Sequence, residues 1–137
     1  MLPRVLVAWC LMAACVAIHA NGVARALRWL PRQIARNRRS TWLFIAIAGW
    51  MVLLHVAEVS AWAFIYYLGR ALQDLPAALY FSAVTYTTTG YGDVVLPIQW
   101  RLVGAIEALT GILMCGWSTG FFFAAVSRVL GVRSPNA

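Results

Sequence analysis

Three long apolar runs, separated by short breaks that carry arginine or aspartate, set the plan of the chain. They are Val5 to Ala24, Thr41 to Gly69 and Leu102 to Ser127. Each reaches the length of about 20 residues that crosses a hydrocarbon core, so the pattern predicts three membrane-spanning helices. A fourth apolar run, Leu75 to Thr87, is too short to span and predicts a re-entrant helix. Asp74 stands at its N-cap position and Pro76 in its first turn. The expected fold class is an all-α membrane protein. Its divisions are an N-terminal transmembrane helix at 1–24, an arginine-rich loop at 25–40, a unit at 41–129 and a short tail at 130–137. Within the unit the expectation is an outer helix at 41–69, the short helix at 75–87, a strip at 88–93 and an inner helix at 101–128.

Composition sharpens this picture. Of 137 residues, 63% are hydrophobic and 11% charged, which excludes a soluble domain. All 11 basic residues are arginines, and they collect beside the apolar runs, so the net charge of +7 points to membrane topology and not to nucleic acid. Placing Arg25 to Arg39, Arg128 and Arg133 on the cytoplasmic side leaves Arg4, Arg70, Arg101, Asp74 and Asp93 outside. The N-terminus is then outside. A cleaved signal peptide over the first run is the alternative, but it would export the arginines that follow. The expected location is the inner or plasma membrane, with several passes, and the tail is too short for a ligand-sensing domain. Pro31 predicts the start of a new helix within the arginine stretch. Arg28, Arg32, Arg36 and Arg39 there are candidates for anionic lipid, although a plain topology signal is the simpler reading. Trp42 and the pair Tyr66 and Tyr67 sit where interfacial aromatic belts form. Cys10, Cys15 and Cys115 lie inside apolar runs and read as small hydrophobes.

Between the short helix and the third run lies Thr87-Thr88-Thr89-Gly90-Tyr91-Gly92-Asp93. Two glycines one residue apart permit backbone angles that a Cβ disfavours. Such a strip can turn successive carbonyls to one line, and several copies around an axis replace the hydration shell of a cation. The residues and their setting resemble the signature of prokaryotic two-helix-pore potassium channels, over about Trp42 to Val129. The N-terminal helix and arginine stretch fall outside the resemblance, and no arginine-repeat voltage sensor is present. The resemblance implies a non-enzymatic channel that passes K⁺ passively through a homotetramer, with no cofactor beyond the permeant ion. It implies K⁺ sites at Thr88, Thr89, Gly90 and Tyr91, with Gly92 completing the filter. Tyr91 would brace the filter, with Thr85 the candidate partner for its hydroxyl, and Asp93 would pair behind it. Relatives often place a glutamate where this chain has Val84; Tyr80 is the candidate donor to Asp93 instead.

The resemblance also aligns Gly111 and Gly116 with inner-helix glycines, leaving a hinge and close packing equally open at Gly111. Helical spacing would turn Ile112, Cys115 and Thr119 to a cavity, with Phe123 narrowing it lower down. Phe121 and Phe122 would meet lipid or the outer helix.

His19, His55, Glu58 and Glu107 interrupt apolar runs, where ionisable groups are costly and mark function. At 1.5 Å per residue, Glu58 lies about 15 Å and Glu107 about 9 Å below the outer end of its helix, so the two are expected to approach each other, or a hydroxyl of the short helix, and to share protons if they are close. His55 is one turn from Glu58 and can pair with it. His19, read as near the cytoplasmic end of its helix, is expected to stay apart, leaving one pair with ligand spacing and little support for a metal site. Two rival functions are an intramembrane hydrolase using Ser118 of Gly116-Trp117-Ser118-Thr119-Gly120 and a nonselective cation channel. The serine motif needs a strand-to-helix turn, which a mid-helix position does not give.

Overall fold

The computed structural model describes residues 2–36 and 41–130. Arg38, Arg39, Arg133 and the tail beyond Leu130 lie outside the described residues. Helix α1 runs Leu2–Arg36, α2 Thr41–Leu68, α3 Leu75–Tyr86 and α4 Arg101–Leu130, with one 3₁₀ turn at Ile98–Trp100. Among the described residues there is no strand. Helices α1, α2 and α4 are long and apolar enough to cross a membrane.

The arginine stretch corrects the sequence reading. It is not a loop up to Arg36, and Pro31 lies inside α1 and does not begin a new helix. The reason is packing. Val23, Ala26 and Leu30 continue the buried face of α1 against Leu43, Ile47, Phe121, Ala125 and Val129, while Arg25, Arg28, Arg32 and Arg36 stay exposed. Pro31 is exposed, where losing one backbone donor does not orphan a buried carbonyl. The 35 residues of α1 measure about 52 Å, well beyond the hydrocarbon core of about 30 Å.

Helix α1 packs on both α2 and α4 and runs parallel to α4. Near its start the Arg4 guanidinium lies 5.1 Å from the Trp100 ring centroid. Near its end Leu30 joins the cluster that holds Val129. The Trp100 ring also lies against Gly69, where any Cβ would run into it. At the other turn, Asp74 Oδ1 accepts from the Ala77 backbone N–H at 2.7 Å and starts α3. The interfacial aromatics divide. Trp42 and Tyr67 are exposed, but Tyr66 is fully buried and does not join a belt.

Candidate functional site

The strip after α3 has a regular backbone. Thr88, Gly90 and Gly92 have φ of 59°, 58° and 77°, and the residues between them do not have positive φ. Alternation of this kind can turn successive peptide units the same way, and three successive N–H groups, those of Thr88, Thr89 and Gly90, do point to one side, at the Thr85 and Val84 carbonyls. A β-branched residue in the left-handed region is a genuine outlier, costing about 1–3 kcal/mol, so Thr88 is held there by its surroundings. The N–H groups supply the hold. Thr88 donates to the Thr85 carbonyl at 2.9 Å, and Thr89 and Gly90 donate to the Val84 carbonyl at 2.9 and 3.2 Å. The Thr87 hydroxyl donates to the Ala83 carbonyl at 2.7 Å and lies 2.9 Å from the Thr89 hydroxyl. Within the chain the carbonyls of Thr88, Thr89, Gly90 and Tyr91 accept no hydrogen bond among the described residues. Four oxygens are therefore left free on an exposed edge, where buried backbone groups are normally paired.

At the outer end, the Tyr80 hydroxyl donates to Asp93 Oδ2 at 2.6 Å, and the Val94 N–H donates to Asp93 Oδ1 at 3.1 Å. The Tyr80 bond, aided by the backbone N–H groups of Asp93 and Val94, holds the Asp93 carboxyl below the usual aspartate range. Val84 lines a cavity of about 200 Å³ behind the strip, together with Tyr80, Thr85, Gly90, Gly92 and Asp93. Tyr91 does not meet Thr85 within one chain; its ring is 72% exposed.

The buried polar groups around α3 fall into two sets: Glu58 and Glu107 do not pair, and each meets a hydroxyl of the short helix instead. The Tyr66 hydroxyl donates to Glu107 Oε2 at 2.7 Å and the Ser82 hydroxyl to Glu107 Oε1 at 2.5 Å. This set ties α2, α3 and α4 together. Glu58 instead accepts from the Tyr86 hydroxyl, and its Oε1 lies 2.9 Å from His19 Nδ1. Its Oε2 lies 3.4 Å from His55 Nδ1. Ser82 and Tyr86 are four residues apart on α3, so the two carboxyls bind partners about 6 Å apart along the helix.

His19 thus joins the set from which sequence reasoning excluded it. Because α1 continues to Arg36, His19 is at its midpoint and not near its end. The set also includes Ser118, whose Oγ lies 3.1 Å from His19 Nε2 and 2.9 Å from His55 Nε2. Tyr66, Ser82 and Tyr86 carry both sets and were not singled out as their members in advance. The available signal was two hydroxyl residues one turn apart on a short apolar helix.

Residues 40–128 match the family described as "Ion channel". The chain belongs to this ion channel family. Over 118 residues it is 32% identical to the voltage-gated potassium channel regulatory subunit KCNG2 of Homo sapiens, covering 82% of this chain and 24% of that protein. The Rattus norvegicus protein of the same name gives the same identity over 118 residues, covering 82% of this chain and 23% of the relative. The chain therefore spans about a quarter of the length of the curated relatives it matches. No solved structure gives a significant match. The family and the three spanning helices make this a multi-pass membrane protein.

In this ion channel chain, the inner helix meets the base of the strip at one point. A Cβ at Gly111 would collide with the Tyr86 backbone carbonyl, so Gly111 is a close-approach glycine between α4 and α3. Gly116 and Gly120 face open space within the chain. Ile112, Cys115, Thr119 and Phe123 all lie on the exposed side of α4. Phe121 is buried against α1 and α2, with Phe122 packed at the edge of that cluster.

Proposed function

We propose that this chain forms a potassium-selective channel as a homotetramer, conducting K⁺ passively with Thr88 to Gly92 as its filter. The observation that carries the reading is the set of unpaired carbonyls on a backbone of alternating hand, fixed from behind by its own N–H groups. Four such edges around an axis give stacked oxygen rings from Thr88, Thr89, Gly90 and Tyr91, and the Thr88 hydroxyl adds one more at the inner end. One chain carries one strip, so closure of the ring calls for cyclic symmetry. The exposed face of Ile112, Cys115, Thr119 and Phe123 then lines the cavity, and the exposed Tyr91 ring packs on a neighbouring subunit. Tyr80 and Asp93 brace the outer mouth. The names of the matched relatives favour potassium over a nonselective pore. On this reading the N-terminus is outside. Arg28, Arg32 and Arg36 then meet anionic headgroups, as would Arg39, which is outside the described residues.

A hydrolase reading has one observation in its favour: Ser118, His19 and Glu58 follow one another at hydrogen-bond distance. The acid and histidine that the motif calls for are therefore close by. Against it, Ser118 lies within α4, whose N–H groups are engaged in the helix and offer no oxyanion site. Its 8% exposure leaves no room for substrate.

The test is flux from proteoliposomes of defined oligomeric mass. K⁺ and Rb⁺ should pass, Na⁺ should not, and internal barium should block near Thr88. Equal K⁺ and Na⁺ flux from intact tetramers overturns the selectivity, and a functional dimer or trimer overturns the assembly.

A further inference from the structure

The set around Glu58 has no role in holding the strip's carbonyls, and its hydrogen bonds do not close around an ionised carboxylate. Glu58 and His19 are fully buried, and the His55 side chain is 21% exposed. Both imidazoles present Nδ1 to the carboxyl and Nε2 to Ser118 Oγ. Neutral histidine carries one ring hydrogen. If both hydrogens are on Nδ1 and serve Glu58, two bare Nε2 atoms face one hydroxyl, which has a single hydrogen to give. If one ring carries its hydrogen on Nε2 instead, its bare Nδ1 faces the carboxyl lone pairs. No arrangement of neutral rings around an ionised carboxylate satisfies every atom, whereas a proton on Glu58 closes the set, since Glu58 then gives to Tyr86 and Tyr86 to His55 Nδ1. The buried carboxylate also has no arginine partner among the described residues, its only ion-pair partners being the two histidines. With Glu58 ionised, the set is short of one cation, a proton or a metal ion.

We propose that His19, His55 and Glu58 form a binding site for a divalent transition-metal ion of the zinc type, on the Nδ1 side of the two rings. One ligand atom from each residue lies within 4.8 Å of the other two. Tetrahedral zinc, with bonds of about 2.0–2.2 Å, needs them about 3.4 Å apart, which side-chain adjustments can supply. The His19 and His55 ring centroids are 5.3 Å apart and tilted by 40°, and the two Nδ1 atoms lie 2.9 and 3.4 Å from the Glu58 oxygens. The Tyr86 hydroxyl, 3.2 Å from His55 Nδ1 and bonded to Glu58, stands at the fourth position.

The ion resolves the hydrogen-bond deficit. With both Nδ1 lone pairs on the metal, both rings carry their hydrogen on Nε2, and each donates to Ser118 Oγ. That oxygen has two lone pairs, enough for both. Its own hydrogen is free for Met51 Sδ at 3.7 Å. Ser118 is then the positioning residue that fixes both tautomers, the role outer partners play at histidine metal sites. The ion would staple α1 to α2 and, through Tyr86, to the end of α3 directly below the strip. His55 offers the way in, since it lines a surface pocket that also touches Thr87 and Cys115.

The experiment uses the full chain, purified in detergent from chelator-treated buffers with any affinity tag removed. Co²⁺ is titrated in, visible d–d absorption reports tetrahedral coordination, and Zn²⁺ competes. The expected result is one metal per chain with a tetrahedral Co²⁺ spectrum, retained when Cys10, Cys15 and Cys115 are replaced by alanine. His19→Ala and Glu58→Gln should each weaken binding by about 100-fold or more, and Ser118→Ala by about 10- to 100-fold with the spectrum kept. If His19→Ala fails to assemble, the wild-type titration and Ser118→Ala still decide. No stoichiometric uptake by the wild-type chain overturns the proposal, because a proton alone then supplies the missing charge. Uptake that none of the His19, Glu58 or Ser118 substitutions weakens overturns it too.

Discussion

The side chains of His19 and Glu58, 39 residues apart, meet at 2.9 Å with neither exposed. This contact joins the N-terminal helix to the outer helix of the channel unit at the depth of Tyr86, two residues before Thr88. The N-terminal helix is therefore bound to the unit by a buried polar contact as well as by apolar packing.

Removing His19 leaves Glu58 Oε1 without its partner in the interior, while Oε2 keeps Tyr86 and His55. His19→Ala should cost about 1–3 kcal/mol, the range for leaving a buried polar group without its hydrogen-bond partner, and His19→Gln should recover part of it by restoring a donor. Thermal denaturation of the purified assembly checks this. A midpoint unchanged in His19→Ala would show that the contact contributes nothing.

Glu107 behaves as a hydrogen-bond acceptor for two hydroxyls, and the substitution pattern follows. In Glu107→Gln, the amide oxygen still accepts from Tyr66, and Ser82 can turn fully to the Val59 carbonyl, already 2.8 Å away. Assembly and conduction should survive. Glu107→Ala leaves the buried Tyr66 hydroxyl without a partner, at about 1–3 kcal/mol. Comparing the melting of the purified assembly for the two variants separates them, and equal melting contradicts the account.

Gly111→Ala should disrupt conduction more than Gly116→Ala. A methyl at 111 runs into the Tyr86 carbonyl, whereas the same methyl at 116 meets nothing within its own chain. Moving Tyr86 shifts the start of the strip. Single-channel recordings of the two variants provide the check; conduction in Gly111→Ala at the wild-type level would show that the contact is dispensable.

At the outer mouth, the Tyr80 hydrogen bond lowers the Asp93 pKa from the ordinary 3.8. A depressed carboxylate contributes its stabilisation above the ordinary value and loses it as the pH falls through the lowered one. Tyr80→Phe removes the largest cause, so Asp93 should protonate at higher pH. The acid limb of current against external pH should move upward in Tyr80→Phe, and an unmoved limb argues against the bond.

The spans, the re-entrant helix and its Asp74 cap were legible because each rests on local rules of length, hydropathy and capping. Gly90 and Gly92 marked their own positive φ, but Thr88 did not, since its conformation is set by the Thr85 and Val84 carbonyls behind it. The extension of α1 was hidden because arginines and Pro31 are poor local evidence for a helical stretch whose buried residues are only Ala26 and Leu30. That one error moved His19 from the end of its helix to the middle and concealed its contact with Glu58. Depth arithmetic put Glu58 and Glu107 in the same half of the membrane. It could not say that Ser82 and Tyr86 would divide them, because that depends on which face of α3 meets each helix.

The central claim is that carbonyls of Thr88, Thr89, Gly90 and Tyr91 hold a dehydrated potassium ion. Anomalous diffraction from crystals of the assembly grown with Rb⁺ in place of K⁺ tests it most directly. The account predicts peaks on the fourfold axis between successive carbonyl rings, which vanish when Na⁺ replaces Rb⁺. An assembly without that axis, or one with no Rb⁺ signal along the strip, contradicts it.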